Sequence, residues 1–295
     1  MYLLVLVLFY AIALLPFPLL YALSDGIYFI LYYLVGYRKK VVLDNLAKSF
    51  PTYSEAARVA IAKKFYRNFC DQWLETIKLL TMNKACMNKR IVGNWEVLDD
   101  IYKEGLSCNI MMAHNFNWEW ANIACQLNVQ QLFSGVYMPI TTPVFAKVMH
   151  KIRQRNPSSV LIAANKLKEG LALLKDQQYV FALVSDQNPV KTEIAQWEPF
   201  LNREAPFYRG PAQGAINAKA AVVFCHILKI KRGYYQFKMQ RYCDNAATKD
   251  QETITRDFVQ YAEARILEQP ENWLWSHRRW KYTYDEKIHE KLVVK

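Results

Sequence analysis

The first 37 residues constrain this chain most. From Met1 to Tyr37 the only formally charged side chain is Asp25. Two apolar runs, Tyr2 to Leu15 and Leu19 to Val35, are separated by Pro16 and Pro18. Each run is shorter than the ~20 residues a straight transmembrane helix needs, and the prolines break or kink a helix between them. Together the runs predict one kinked span or a hairpin lying shallow in one leaflet. A buried core helix is the alternative, but length, purity and the basic flank Arg38-Lys39-Lys40 favour the membrane and put the rest of the chain on the cytoplasmic side. A cleaved signal peptide fits poorly, because no basic segment precedes the apolar run. The expected organisation is a membrane anchor over 1–37 and one domain over 38–295.

Lys and Arg outnumber Asp and Glu by 38 to 26, a net charge of +12. Such a surplus favours an anionic partner: nucleic acid, an acidic leaflet, a phosphorylated lipid or an acidic carrier protein. Trp273, Trp275 and Trp280, interleaved with Arg278, Arg279 and Lys281, suit either base stacking or a membrane interface. The apolar N-terminus decides for the membrane and against nucleic acid. None of the six cysteines forms a C-x-x-C pair or a zinc-ligand pattern with histidine, so no metal is expected and the domain reads as cytoplasmic.

Beyond residue 50, apolar runs of strand length alternate with helical stretches. A helix is expected from about Glu55 to Leu80, with Thr52 as its cap. Strands are expected at Asn109–Ala113, Leu132–Tyr137, Val160–Ala163, Tyr179–Val184 and Ala221–Leu228, with Tyr234–Arg241 at an edge. Helices are expected at Trp118–Leu127, Pro143–Ile152, Leu167–Lys175, Pro211–Lys219 and Thr253–Glu268. This alternation predicts an α/β fold, a mostly parallel central sheet flanked by helices, with the hydrophobic N-terminal anchor attached.

Chemistry concentrates in Met112-Ala113-His114-Asn115-Phe116-Asn117-Trp118-Glu119. A strand ends at His114 and a helix follows, a common location for functional side chains in α/β folds. If the turn folds back, Glu119 accepts the proton of one imidazole nitrogen and leaves the other as a general base. This is the histidine–carboxylate half of a hydrolase triad without its serine, so the base would activate an external hydroxyl with no covalent enzyme intermediate. Arg153 and Arg155, with Lys147, His150 and Lys151, form a basic stripe suited to phosphate or to an acidic protein. Asp186 and Gln187 follow a strand and read either as turn residues or as part of the pocket. The other histidines, His150, His226, His277 and His289, read as structural.

Several strings of residues carry a resemblance: Gly36-Tyr37-Arg38-Lys39-Lys40-Val41-Val42, Ala113-His114 through Asn117-Trp118-Glu119, Arg153-Gln154-Arg155, Ser185-Asp186-Gln187, Tyr208-Arg209-Gly210-Pro211 and the run from Pro270 to Lys281. With these the chain resembles the late (lauroyl and myristoyl) acyltransferases of lipid A biosynthesis, within the lysophospholipid acyltransferase group, and looks closest to a Bacteroidetes-type branch. The resemblance implies an inner-membrane acyltransferase of lipopolysaccharide glycolipid synthesis with its catalytic domain in the cytoplasm. It implies an acyl donor on acyl carrier protein, an anionic lipid A precursor as acceptor and no cofactor. It makes His114 the base and Glu119 its orienting partner, with Asn117, Arg153, Arg155, Asp186, Gln187 and Gly210 at the substrate. Two departures, Pro157 where relatives often carry glycine and Ala212 where this branch often carries an acidic residue, leave the acceptor open to a lysophospholipid or an aminolipid. A membrane-attached lipid-binding protein without turnover is the non-enzymatic alternative.

Overall fold

The computed structural model describes residues 1–154 and 157–289. The chain runs α1 (Tyr2–Leu14), α2 (Phe17–Phe29, continued by a wider turn over Ile30–Val35), α3 (Lys39–Ser49), α4 (Glu55–Lys78), α5 (Lys84–Arg90), β1 (Ile91–Gly93), α6 (Glu96–Lys103) and β2 (Cys108–Met112). It continues with α7 (Trp118–Asn128), β3 (Leu132–Tyr137), α8 (Pro143–Arg153), β4 (Val160–Ala163), α9 (Leu167–Ala172) and β5 (Tyr179–Val184). Then come β6 (Gln196–Phe200), β7 (Arg203–Phe207), α10 (Gly210–Ala218), β8 (Ala221–Lys231), β9 (Tyr234–Cys243), α11 (Gln251–Glu268) and α12 (Glu286–His289).

Seven strands form one sheet in the order β1-β9-β8-β2-β5-β3-β4. β8, β2, β5, β3 and β4 are mutually parallel, and β9 turns back antiparallel on β8. All five residues of β2 are buried, as a strand covered on both faces requires. Alternate side chains divide its two faces: Met111 and Ala113 enter a core with α3, α4 and α11, whereas Ile110 and Met112 enter one with α5, α6 and α7. The mostly parallel α/β sheet of the sequence reading is therefore the fold. β9 differs, because it is not an edge: β1, too short to read in the sequence, covers it. The cap of α4 also differs. Ser54, not Thr52, accepts the bond from Ala57 N–H.

The N-terminus breaks where the prolines require. Leu14 ends α1, and α2 starts at Phe17 with Pro18 in its first turn, where a missing N–H costs no helical bond. That early start makes Phe17–Val35 a continuous helix of 19 residues with mean hydropathy 1.4, long and apolar enough to cross a bilayer. Leu19, Phe29, Tyr33, Leu34 and Val35 remain exposed on it, as do Leu3, Leu4 and Val7 on α1. The opposite side of these helices is tied to the rest of the chain. Lys78 Nζ donates to the Ala13 and Leu15 carbonyls, Tyr21 Oη to Glu75, and Ser24 Oγ to Asp71. The two N-terminal helices are thus docked along α4 and present their apolar side outward.

Candidate active site

Sheet register builds the site. β2 and β5 pair with Met112 opposite Val184, so two further residues on each strand set His114 beside Asp186. Ser185 N–H donates to the Met112 carbonyl at 2.9 Å, which extends the pairing one step past the strands. His114 Nδ1 lies 2.5 Å from Asp186 Oδ1. Asp186 Oδ2 accepts two more bonds, from His114 N–H at 3.0 Å and from Trp273 Nε1–H at 2.6 Å. Burial works to raise the Asp186 pKa, but the neighbouring His114 and these hydrogen bonds outweigh it and hold the carboxyl down at about 2. An ionised Asp186 accepts the hydrogen bond from Nδ1–H and so holds the ring proton on Nδ1, which leaves Nε2 with a free lone pair. The amide Nε2 of Gln187 lies 3.1 Å from that nitrogen and donates to it. The imidazole keeps 17% side-chain exposure while Asp186 keeps 1%, so the ring is reachable and its partner is not.

The expected pairing of His114 with Glu119 is not what forms. Asn117 caps α7 by accepting from Trp120 N–H, and successive side chains on the helix then diverge by ~100°. Trp118 meets the imidazole edge-on at 5.1 Å between ring centres. Glu119, one position on, turns toward α8. There it accepts from Arg153 Nε at 3.0–3.1 Å to both oxygens and from Arg153 Nη2 at 2.5 Å. Burial opposes the charge on Arg153, but Glu119 more than compensates and raises its pKa. Among the described residues, nothing accepts from the other terminal nitrogen of Arg153. This guanidinium borders a cleft whose walls include Tyr137, Ile140, Met149 and Leu161.

The remaining expected residues divide. Gln187 is at the His114 ring. Asn117 is fully buried, its amide donating to Glu75 at 2.8 Å and its oxygen accepting from Trp120 N–H, so both ends of its side chain serve the fold. Gly210 opens α10, and no protein atom approaches the space its Cβ would fill. Arg155 falls outside the described residues. Ala212 is fully buried in the core beside α11, so an acidic side chain at this position would have no solvent to face.

The tryptophan-rich segment is also corrected. Trp273 and Trp275 are 2% and 0% exposed, available neither to bases nor to lipid. Trp273 instead anchors Asp186, and its segment clasps the loop after His114. Phe116 N–H donates to the Asn272 carbonyl at 2.9 Å, and the Asn272 amide donates back to the Phe116 carbonyl at 3.0 Å. Behind it, Arg279 is fully buried and bonds Asn188 Oδ1 and the Pro206 carbonyl, holding the loop that carries Asp186. His277 is kept neutral by burial, its pKa pushed down to about 4. Among the described residues no three His, Cys, Asp or Glu are grouped to hold a metal.

Over residues 1–282 the sequence matches the family model described as bacterial lipid A biosynthesis acyltransferase. A comparison with curated proteins gives no match.

Proposed function

Because this chain belongs to the bacterial lipid A biosynthesis acyltransferase family, we propose that it moves a fatty acyl chain from an acyl carrier protein thioester to a hydroxyl of a lipid A precursor. His114 acts as general base, and no acyl-enzyme forms. The observation that carries this reading is the buried, ionised Asp186 on Nδ1 of a solvent-accessible His114.

The acceptor hydroxyl displaces the Gln187 amide from His114 Nε2 and gives up its proton there. Its oxygen attacks the thioester carbonyl, and the negative charge moves to the carbonyl oxygen. Collapse of this intermediate breaks the C–S bond. The departing thiolate takes the proton back from Nε2, which restores the base and frees the carrier thiol. Through these steps Asp186 stabilises the imidazolium without itself gaining a proton. Arg153, fixed by Glu119, offers its remaining terminal nitrogen to the developing oxyanion or to an acceptor phosphate. The cleft beside Arg153, with Ile140, Met149 and Leu161 on its walls, suits the acyl chain.

The family and the exposed apolar faces of α1 and α2 make this a membrane-associated protein. The inner membrane, with the catalytic domain on its cytoplasmic side, is the setting the Arg38-Lys39-Lys40 flank supports. The test is acyl transfer from acyl carrier protein thioester to purified acceptors in mixed micelles. His114→Ala is expected to abolish transfer while the protein stays folded. Transfer within tenfold of normal in a folded His114→Ala protein overturns the mechanism.

A further inference from the structure

An open cleft lies between α2 and α4, floored by the turn from β8 to β9. Its charges do not cancel. Asp71 on α4 is buried and accepts from Lys229 Nζ at 3.1 Å and from Arg232 at 2.7–3.1 Å. Asp25 on α2 accepts from Arg232 at 2.9 and 3.0 Å. Arg67, the third cation of the cleft, has no carboxylate partner among the described residues and lies over the Tyr28 ring at 5.0 Å. Three cations therefore face two carboxylates. The lip beside them is apolar: Phe29 and Tyr33, on the stretch of α2 long enough to cross a bilayer, are 54% and 51% exposed.

Surplus positive charge next to exposed aromatic surface on a membrane-inserted helix matches one chemistry, an anionic phosphodiester carrying hydrocarbon chains. We propose that this cleft holds the headgroup of an anionic bilayer glycerophospholipid, with the phosphate at Arg67 and the chains along Phe29 and Tyr33. A free phosphate would leave the aromatic lip unused. The cleft is also walled off from His114. The Asn68 amide bonds both Lys229 Nζ and, at 3.0 Å, the Glu271 carbonyl, while neighbouring Asn272 clasps Phe116. The turn at Pro270–Asn272 thus stands between the two places. The lipid is a resident of the fold and neither donor nor acceptor. The inference rests on membrane insertion of α2, not on the chemistry at His114.

The experiment is native mass spectrometry of the full chain, delipidated in detergent and titrated with phosphatidylglycerol, phosphatidylcholine, inorganic phosphate and a lipid A precursor. One phosphatidylglycerol is expected to bind at least tenfold tighter than phosphatidylcholine. Arg67→Glu is expected to weaken it at least fivefold. Lys175→Glu makes the same charge change at an exposed site preceding β5, at the opposite end of the sheet, and is expected to leave binding unchanged. His114→Ala should also bind normally, which separates this site from the catalytic reading. Should Arg67→Glu misfold, Tyr33→Ala tests the same lip. Equal binding of the two phospholipids, full displacement by inorganic phosphate or by the lipid A precursor, or normal binding in the lip variants overturns the proposal.

Discussion

Asp186→Asn puts the sharpest demand on the site. The carboxylate accepts three N–H bonds, two on Oδ2 from His114 N–H and Trp273 and one on Oδ1 from His114 Nδ1. An asparagine has one oxygen to offer. Placed on the Oδ2 side it satisfies both donors there, and its NH2 group then faces Nδ1. That nitrogen must become an acceptor, the ring proton moves to Nε2, and the lone pair that takes the substrate proton disappears. Restoring the active tautomer means turning the amide so that its NH2 meets two N–H donors. Two buried N–H donors are then left without an acceptor, about 1–3 kcal/mol each, or about 2–6 kcal/mol in all. At about 1.4 kcal/mol per factor of ten, transfer falls roughly 30- to 10⁴-fold. The upper end agrees with the ~10⁴-fold loss when a triad histidine is set in the wrong tautomer. The assay is thiol release from acyl carrier protein thioester under saturating acceptor, with thermal unfolding as the check on fold. A folded Asp186→Asn protein that keeps more than a tenth of the normal rate refutes the pairing.

Glu119→Gln should behave differently, because Glu119 acts on Arg153. It is expected to lower kcat/KM about 10- to 100-fold and to reduce thermal stability, since an arginine with 20% side-chain exposure loses its counter-charge; an altered shape of the pH–rate profile would instead place Glu119 on the imidazole. Glu75, fully buried among Tyr21, Asn117 and Tyr235, gives a stability prediction. Burial and nearby Asp71 raise its pKa to about 6. Its stabilising contribution is complete below the ordinary carboxylate pKa and is lost as pH rises through 6, a change of about 2 kcal/mol. Thermal unfolding of Glu75→Gln and the unaltered protein should therefore diverge between pH 4.5 and 7, with the glutamine form gaining as pH rises; parallel curves refute it.

Much of the sheet was legible because its strands are short, mostly apolar runs. Leu132–Tyr137, Val160–Ala163 and Tyr179–Val184 coincide with β3, β4 and β5 to the residue. Such runs advertise themselves by apolar content alone. The hairpin β6–β7 was hidden, because Pro199 and Pro206 interrupt it and argue locally against a strand. β1 has three residues, below any useful period. The N-terminal helix reads longer in the structure than in the sequence for a related reason: Pro18 breaks a helix interior but belongs to a helix start. Trp273 carried a true signal of importance in its string, but composition pointed it at a surface. Only its contact with Asp186, 87 residues away, shows what the indole does.

The misassigned carboxylate has the most physical content. A spacing of five residues between His114 and Glu119 suggested a local pair, and local pairs are what sequence spacing can see. The partner that forms depends on which strand lies next to β2, and strand order is a non-local property. With β5 as neighbour, residues two beyond each strand end must be adjacent, so Ser185-Asp186-Gln187 supplies both a partner for Nδ1 and a donor for Nε2. Glu119 is thereby released for a task the same spacing also allows. One helical step past Trp118, it reaches across to α8 and fixes Arg153. The His-x4-Glu string thus encodes two arms of one site. Its histidine is oriented by the sheet, and its glutamate orients a cation. A local His–Glu dyad needs Glu119 free to swing back, and that would leave Arg153, with 20% side-chain exposure, without its one acid partner among the described residues. The energetic penalty of that orphaned charge keeps the two arms apart.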